Sequence, residues 1–327
     1  VTATTDPAAF AIAIEQDGSV SIAQYLSLKH PNTADPDDVV FLDAGLISAE
    51  VMVTDGDGDQ ASDSVDLGGS TANDSVIKFY DDGPSADIDR VGNNMVSRDE
   101  SSGLQQDDTT AVSVIALFAG VVNPGVDAGT GDLTGYAKGV YPIVDISNSD
   151  FGADEEGAST TLSLSLNGIS QVDSGLDTTD GLNIVLNVEG NLIVGRADLN
   201  SDGVVTATTD PAAFAIAIEQ DGTVSVAQYL SLFHPNSADP DDVVFLGKGL
   251  VDAVVTVTDG DGDVATDTVD LGGSKATTSV IKFYDDGPSA DIDRVGNNMV
   301  SRDESVGLQQ DDTTDIAVSN LFAGVVN

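Results

Sequence analysis

The chain has 327 residues, and its 56 Asp and Glu against 11 Lys and Arg give a formal net charge of −45. Such a surface repels the phosphates of nucleic acids and of anionic membranes, so neither is an expected partner. Cysteine is absent, which excludes disulfides, thiolate zinc sites and thiol catalysis. The longest apolar run, residues 111–122, is too short to insert across a bilayer. Hydrophobic residues still make up 40%, enough for a packed core.

The chain contains a long internal repeat. Residues 1–123 recur as residues 205–327, at an offset of 204, and 22 of these 123 positions differ. Near-identical tandem copies are an ordinary way to build length or valency, whereas a catalytic site needs one set of residues. We therefore predict a leading partial repeat (1–82), a complete repeat (83–286) of one or two sandwiches, and a trailing partial repeat (287–327). Because the pattern is under way at the first residue, we expect a piece of a longer protein.

Alternating apolar and polar residues predict β-strands along most of the chain. The alternation is clearest at 10–14, 51–54, 65–67, 77–80 and 162–166. Each of these strands is expected to bury one face. Asp17-Gly18 and Glu189-Gly190-Asn191 predict hairpin turns, and short helices are expected near 227–232 and 316–326. Many short strands with Gly-rich and Asp-rich turns predict an all-β sandwich fold.

Acidic residues cluster where the strand pattern stops. The first cluster is Asp-Gly-Asp-Gly-Asp, at 55–59 and again at 259–263. Alternating carboxylates with glycines between them can turn several oxygens toward one point, and Ca²⁺ takes about six to eight oxygen ligands. Asp-Gly is also ordinary turn chemistry, but three aspartates in five residues exceed what a turn needs. We predict calcium here, with Asp55, Asp57, Asp59, Asp259, Asp261 and Asp263 as ligands.

The second cluster, 198–203, reads Asp-Leu-Asn-Ser-Asp-Gly. It matches the first six positions of an EF-hand-type loop, with oxygen ligands at positions one, three and five and glycine at six. The twelfth position is Thr209 rather than Glu, and the flanks resemble strands. We predict a calcium loop of this shape inside a β domain, with Asp198, Asn200, Asp202 and Asp210 as ligands. The alternative is an ion-free Asx turn.

The third cluster surrounds a Gly-Pro at each repeat boundary. It comprises Asp81, Asp82, Asp87 and Asp89, repeated as Asp285, Asp286, Asp291 and Asp293, with Asp99, Glu100, Asp303 and Glu304 a strand further on. A junction this acidic repels itself, and bound Ca²⁺ would replace the repulsion with bridging bonds. The alternative is a solvated acidic linker.

Residues 255–263, Val-Thr-Val-Thr-Asp-Gly-Asp-Gly-Asp, and 281–288, Ile-Lys-Phe-Tyr-Asp-Asp-Gly-Pro, resemble the repeats of giant bacterial RTX adhesins, as do 303–308 and 175–181. The resemblance covers essentially the whole chain. It implies immunoglobulin-like or cadherin-like β-sandwich extender modules in an elongated arrangement, with calcium at loops and junctions. It also implies type I secretion and a place at the cell surface or in a biofilm. The nonapeptide calcium repeats of the RTX secretion region are absent, so the chain would come from the repeat region.

No catalytic motif accompanies these clusters. The histidines, His30 and His234, each precede a proline and are expected to have a structural role in a turn. Residues 154–156, Asp-Glu-Glu, favour an acidic loop over a glycosidase pair, because adjacent strand positions point to opposite faces.

These patterns predict a non-enzymatic extracellular spacer or fibre segment that Ca²⁺ stiffens. Its expected partners are neighbouring repeat units, with a host or matrix ligand as a further candidate. Two alternatives stay open. One is a self-assembling filament completed by strand exchange between units, and the other is a glycan- or protein-binding module in 124–204.

Overall fold

The computed structural model of the chain describes residues 5–101, 103–126, 135–287 and 290–325. It is almost entirely β, with several antiparallel sheets, which confirms the predicted all-β fold. The chain divides into two compact bodies, residues 1–287 and 288–327, which are described separately.

Most of the regular structure lies in the first body. The leading partial repeat contains β1 (Phe10–Ile14), β2 (Val20–Gln24), β3 (Val39–Phe41), β4 (Ser48–Thr54), β5 (Gln60–Asp66) and β6 (Lys78–Tyr80). The complete repeat begins with β7 (Asp89–Arg90), β8 (Val96–Asp99), α1 (Val112–Leu117), β9 (Gly135–Lys138), β10 (Val144–Asp145), β11 (Ser159–Ser165) and β12 (Gln171–Asp177). It continues with β13 (Asn183–Glu189), β14 (Leu192–Ala197), β15 (Ala212–Ile218), β16 (Val224–Gln228), β17 (Val243–Phe245), β18 (Asp252–Thr258), β19 (Val264–Asp270) and β20 (Ile281–Tyr284).

The complete repeat packs two β-sheet layers around a main core. One layer is an antiparallel sheet with strand order β12-β13-β14-β15-β16-β9. The facing layer consists of the sheets β11-β18-β19 and β17-β20-β8, in which β20 and β8 run parallel. Ile184 and Ile216 from the first layer join Val255 and Phe283 from the second in one buried cluster. Both layers contribute to this core, and the number of sandwiches in the repeat, one or two, stays a prediction.

Strand β15 shows why large and small apolar residues alternate in Phe-Ala-Ile-Ala-Ile. Phe214 and Ile216 belong to the main core. Ala215 and Ala217 lie in a second cluster, on the opposite face, together with Val114 of helix α1. Both faces of the strand are therefore buried, rather than one as predicted, and the alanines leave room for the helix.

Phe214 connects the two layers of the sandwich. Its ring centroid lies 5.0 Å from that of Phe283. On the neighbouring strand, a Cβ at Gly195 would lie 2.6 Å from the Phe214 ring. Glycine at this position therefore makes the space in which the ring packs.

The leading partial repeat keeps the strand pairings of the complete repeat. The pairs β1–β2, β3–β6 and β4–β5 correspond to β15–β16, β17–β20 and β18–β19. The strands that extend these pairs in the complete repeat come from its first half, 83–204, which residues 1–82 do not include. Val51 and Val53 are consequently 57% and 62% exposed, whereas their equivalents Val255 and Val257 are fully buried.

The second body contains one helix among its described residues, α2 (Ile316–Leu321). It begins at Asp315, whose side chain accepts a hydrogen bond from the Ala317 N–H at 2.8 Å. This helix was predicted, although Val326 at the end of the predicted range lies outside the described residues. The helix predicted at 227–232 is wrong, because this segment ends β16 and continues irregularly. Within the described part of the chain, neither helix is long and apolar enough to cross a membrane.

Candidate metal centre

Four carboxylates converge where the leading partial repeat meets the complete repeat. Asp81 follows strand β6, and Asp259, Asp261 and Asp263 lie in the turn between β18 and β19. One oxygen from each lies within 4.8 Å of the others. This group, called the junction cluster, contains members of two acidic clusters that lie far apart in the sequence.

The turn that carries three of these carboxylates is organised by its own backbone. Asp259 Oδ1 accepts hydrogen bonds from the N–H groups of Gly262 at 2.9 Å and Asp263 at 2.8 Å. Gly262 has a φ of +112°, a conformation that favours glycine. The Gly260 N–H donates to the Asp154 carbonyl at 2.7 Å, which ties the turn to the body of the complete repeat.

The leading partial repeat packs directly on this turn. The His30 N–H donates to Asp261 Oδ2 at 2.7 Å. The Asp82 carbonyl lies so close to Gly152 that a Cβ there would be 1.8 Å from the oxygen. Gly152 also has a φ of +71°, so both the close carbonyl and the backbone conformation require glycine here. The junction cluster therefore sits in a close contact between two consecutive repeats.

Five buried oxygens of the junction cluster have no hydrogen-bond partner among the residues that the structure describes. They are Asp81 Oδ2, Asp259 Oδ2, Asp261 Oδ1 and both carboxylate oxygens of Asp263. Asp259 and Asp263 are only 3% and 1% exposed, so water screens them little. Buried charges of one sign are strongly unfavourable unless an opposite charge compensates them. A divalent cation would supply that charge, and five oxygens approach the about six to eight that Ca²⁺ takes.

The same crowding changes the acidity of the cluster. Burial, and then repulsion from Asp261, Asp259 and Asp81, raises the pKa of Asp263 to about 6. Burial also raises the pKa of Asp81 above its ordinary value, with repulsion from Asp261 and Asp154 adding to the effect. A hydrogen bond between the Asp81 and Asp263 carboxyls would need a proton on one of them. The carboxylates therefore compete for a proton when no cation is bound.

The identical loop of the leading partial repeat is a useful contrast. Asp55, Asp57 and Asp59 also converge within 4.8 Å, but all three are exposed. Asp55 Oδ1 accepts the N–H groups of Asp57 at 3.3 Å, Gly58 at 3.1 Å and Asp59 at 2.9 Å. Hydrogen bonding, first from Asp57 and then from Asp59, holds the pKa of Asp55 below its ordinary value. The backbone bonds to the first aspartate thus recur in both loops, and the two loops differ in the exposure of their carboxylates.

The loop at 198–210 satisfies its own carboxylates. Asp198 accepts backbone N–H groups at both oxygens, from Ser201 at 2.8 Å and from Gly203 at 2.8 Å. Burial tends to raise the pKa of Asp210, but hydrogen bonds led by the Thr206 N–H hold it below its ordinary value. Both oxygens of Asp202 accept hydrogen bonds as well, one of them from Asn200. Calcium at this loop stays a prediction.

The other predicted ligands lie outside the junction cluster. Those that are exposed are Asp82, Asp89, Asp286, Asp291, Asp293, Asp303 and Glu304, and Asp87 is half-buried. Asp99 and Glu100 are buried in the complete repeat. Glu100 accepts hydrogen bonds from Gln228 Nε2 and from the Leu232 N–H, and burial first of all raises its pKa to about 7. Calcium at these positions stays a prediction.

The structure also shows two buried histidine clusters that the sequence pattern does not predict. It groups His30 with Asp38 and Asp81, and His234 with Asp242 and Asp285. A sequence signal for them exists, because His-Pro-Asn is retained in both copies although the preceding residue changes from Lys29 to Phe233. The proline alone predicts only a turn.

Fold and site together define a tandem β-sandwich repeat protein with an acidic centre between repeats. The chain belongs to the family described as Domain of unknown function (DUF5801), whose model matches residues 1–68 and 95–272. Positions 68 and 272 are repeat equivalents, so both matches end at the same point of the repeat, before its acidic junction. No curated protein and no solved structure matches the chain.

Proposed function

We propose that the chain is a non-catalytic, extracellular repeat module of a large bacterial surface adhesin, in which Ca²⁺ stiffens the connection between neighbouring repeats. The observation that carries this proposal is the junction cluster. Its ligands come from two consecutive repeats, and five of its buried oxygens have no hydrogen-bond partner. A cation bound there bonds to both repeats at once, which restrains their relative motion.

In the proposed mechanism, calcium coordination replaces the repulsion between the carboxylates of the two repeats. Without a cation, Asp81 repels the three loop carboxylates, and the contact between the repeats is weakened. Extracellular calcium modules bind with dissociation constants of about 10⁻⁴–10⁻³ M. At about 5 mM Ca²⁺, a site at the tighter end of this range stabilises the folded junction by about 2 kcal/mol. Calcium-poor cytosol would leave the chain loosely folded and competent for export.

The extracellular adhesin setting rests on the sequence. Near-identical repeats build length, and the resemblance to RTX adhesin repeats implies type I secretion and a role in adhesion or a biofilm. The net charge of −45 suits a highly hydrated surface protein and disfavours nucleic acid and anionic membranes as partners. The proposed partners are the neighbouring repeats, with a host or matrix ligand elsewhere on the adhesin.

Thermal melting and small-angle scattering test this function. We expect the melting temperature to rise by several degrees in about 5 mM Ca²⁺ relative to a chelator. We also expect the scattering to lose the signature of flexibly joined segments. Mg²⁺ at the same concentration is the control, because it dehydrates reluctantly and needs a tighter octahedron. Equal melting temperatures and equal flexibility in calcium and chelator would refute the proposal.

One observation favours a second function, a self-assembling filament. In the complete repeat, β18 pairs with β11 on one side and β19 on the other. Its equivalent β4 pairs only with β5 among the described residues, and Val51, Met52 and Val53 along it are exposed. An open strand edge is a template for a strand from another chain. Concentration-dependent fibres in electron microscopy would favour this function, and a monomer at all concentrations would favour the spacer.

The ligand-binding module at 124–204 stays a prediction. Residues 127–134 of that region lie outside those that the structure describes.

A further inference from the structure

Each repeat carries a buried histidine between two carboxylates, and the second of these groups shares no residue with the proposed calcium site. The first triad is His30, Asp38 and Asp81, and the second triad is its repeat equivalent, His234, Asp242 and Asp285. In each triad one imidazole nitrogen and one oxygen from each carboxylate lie within 4.8 Å of one another. The arrangement is thus built twice by the same residues.

The second triad lacks the hydrogen bonds that a buried imidazole normally makes. The His234 side chain is 2% exposed, and neither ring nitrogen has a hydrogen-bond partner. Nδ1 lies 3.0 Å from Asp242 Oδ1, but the contact does not have hydrogen-bond geometry, and this oxygen is also without a partner. Such groups are rare in native proteins, because each gives up the hydrogen bonds that it made with water. The unpartnered nitrogen and oxygen point to a ligand that binds both.

Backbone hydrogen bonds hold the carboxylates of the second triad in place. Asp242 Oδ2 accepts the Asn236 N–H at 3.0 Å, and Asp285 Oδ1 accepts the Asp286 N–H at 2.9 Å. The same two bonds recur in the first triad, from Asn32 to Asp38 at 3.1 Å and from Asp82 to Asp81 at 2.9 Å. In each case one carboxylate oxygen is fixed by the backbone, which orients the other. Outer contacts of this kind position the ligands of metal sites.

The ligand chemistry of the triads differs from that of the junction cluster. The junction cluster offers oxygen alone, which suits Ca²⁺. An imidazole nitrogen with two carboxylates suits Zn²⁺ and its first-row neighbours. We propose that the second triad binds a divalent transition-metal ion, for which Zn²⁺ is the probe. His234 would supply one nitrogen, and Asp242 and Asp285 one oxygen each, which leaves a further position for water. In the first triad His30 Nδ1 already pairs with Asp38 Oδ1 at 2.6 Å, and Asp81 belongs to the junction cluster.

Zinc titration calorimetry on the full chain tests this proposal. In about 5 mM Ca²⁺, which occupies calcium sites at the affinities usual outside cells, we expect one Zn²⁺ ion per chain. His234→Gln should abolish this binding, and His30→Gln is the matched control that should leave it at one ion. Asp239→Asn removes an exposed carboxylate close in sequence to the second triad and should also leave one ion. Zinc binding that His234→Gln does not change, or no saturable zinc binding, would overturn the proposal.

Nuclear magnetic resonance of the unmodified chain provides a test that needs no variant. The chain has only two histidines, so each imidazole signal reports one triad. In excess calcium, stoichiometric Zn²⁺ should shift the His234 signal and leave the His30 signal in place. A His234 signal that Zn²⁺ leaves unmoved would overturn the proposal. Because calcium is in excess throughout and the second triad shares no residue with the junction cluster, this result is distinguishable from any failure of calcium to stiffen the chain.

Discussion

The sequence Asp-Gly-Asp-Gly-Asp occurs twice in the chain, in two different environments. At 55–59 the three carboxylates are exposed, and the backbone of the turn supplies the hydrogen bonds of Asp55. At 259–263 the same loop is pressed against Asp81 of the preceding repeat, and five oxygens in the resulting cluster have no partner. The loop sequence is therefore not sufficient for a buried cation site, which arises only where two repeats meet.

The strands that lead into the two loops also differ in burial. Val255 and Val257 of β18 are buried because β11 and the six-stranded sheet cover them. Val51 and Val53 of β4 are the same residue type at the equivalent positions, and β4 pairs with β5 as β18 pairs with β19, yet both valines are exposed. Equivalent positions in the two copies are therefore matched test sites, one in a complete sandwich and one outside it.

The largest expected difference is in the core. Phe214→Ala should lower the free energy of unfolding of the complete repeat by about 3–5 kcal/mol, because it leaves a cavity beside Phe283. Phe10→Ala removes the equivalent ring, which is only partly buried, and should have a much smaller effect. Urea unfolding measures both values. Equal losses would show that the two copies are equally packed and would contradict the comparison.

A pH effect is expected at Glu100. Burial raises the pKa of Glu100 to about 7 from an ordinary value of 4.5, so the folded state holds this proton more tightly. The resulting stability is fully present below pH 4.5 and is lost as the pH rises through about 7, by on the order of 3 kcal/mol. Glu100→Gln should remove this contribution and leave that of Asp263, whose pKa is raised to about 6.

The control for this change is Glu304→Gln, because Glu304 is exposed in the trailing partial repeat. Urea unfolding in chelator, between pH 4.5 and 8, should give the same pH dependence for Glu304→Gln as for the unmodified chain. If Glu100→Gln also kept that dependence, the assigned burial of Glu100 would be wrong.

A smaller effect is expected from an added methyl group in the loops. A Cβ at Gly260 would lie 2.5 Å from the Glu156 carbonyl oxygen, whereas a Cβ at Gly56 would meet nothing within 4 Å. The same Cβ would lie 2.9 Å from the Asp154 carbonyl oxygen. Neither glycine has a positive φ, so the two substitutions differ in these contacts rather than in backbone conformation. Gly260→Ala should cost about 1–3 kcal/mol of stability, and Gly56→Ala close to nothing. Similar melting temperatures for the two variants would argue against the close approach.

The smallest expected change in free energy concerns a single carboxylate of the junction cluster. Asp263→Asn should weaken the tightest calcium site about ten-fold, which is about 1.4 kcal/mol, and Asp59→Asn should leave it unchanged. In chelator the sign should reverse, because Asp263→Asn removes a buried charge that lacks a partner and should raise the melting temperature. Calorimetric titration and thermal melting give the two readings. A variant that is less stable in both conditions would show that Asp263 has only a structural role.

Much of the fold could be predicted from the sequence, because strands leave a local period. The alternation at 10–14 and the Asp-Gly after it correctly predict the hairpin β1–β2. The same pattern did not show that β15 is buried on both faces, since α1 covers the alanines only in the folded sandwich. The helix predicted at 227–232 failed because its apolar spacing also fits a strand that ends in an irregular segment.

The candidate site could be predicted only in part. The residue types and the Asp-Gly spacing pointed to cation ligands, which is local information. That Asp81 meets the loop at 259–263 was not predictable, because the contact depends on how two repeats pack and spans many residues of sequence. The hydrogen bond from the His30 N–H to Asp261 of the next repeat has the same origin.

Calcium titration of the Asp81→Asn variant tests the central claim most directly, because Asp81 is the one ligand that the preceding repeat contributes to the junction cluster. Asp82→Asn is the matched control, with the same change of charge at an adjacent exposed residue. We expect Asp81→Asn to weaken the tightest calcium site about ten-fold and Asp82→Asn to leave it unchanged. Calcium binding by Asp81→Asn that equals that of the unmodified chain would place the site in the loop alone and contradict a cation held between repeats.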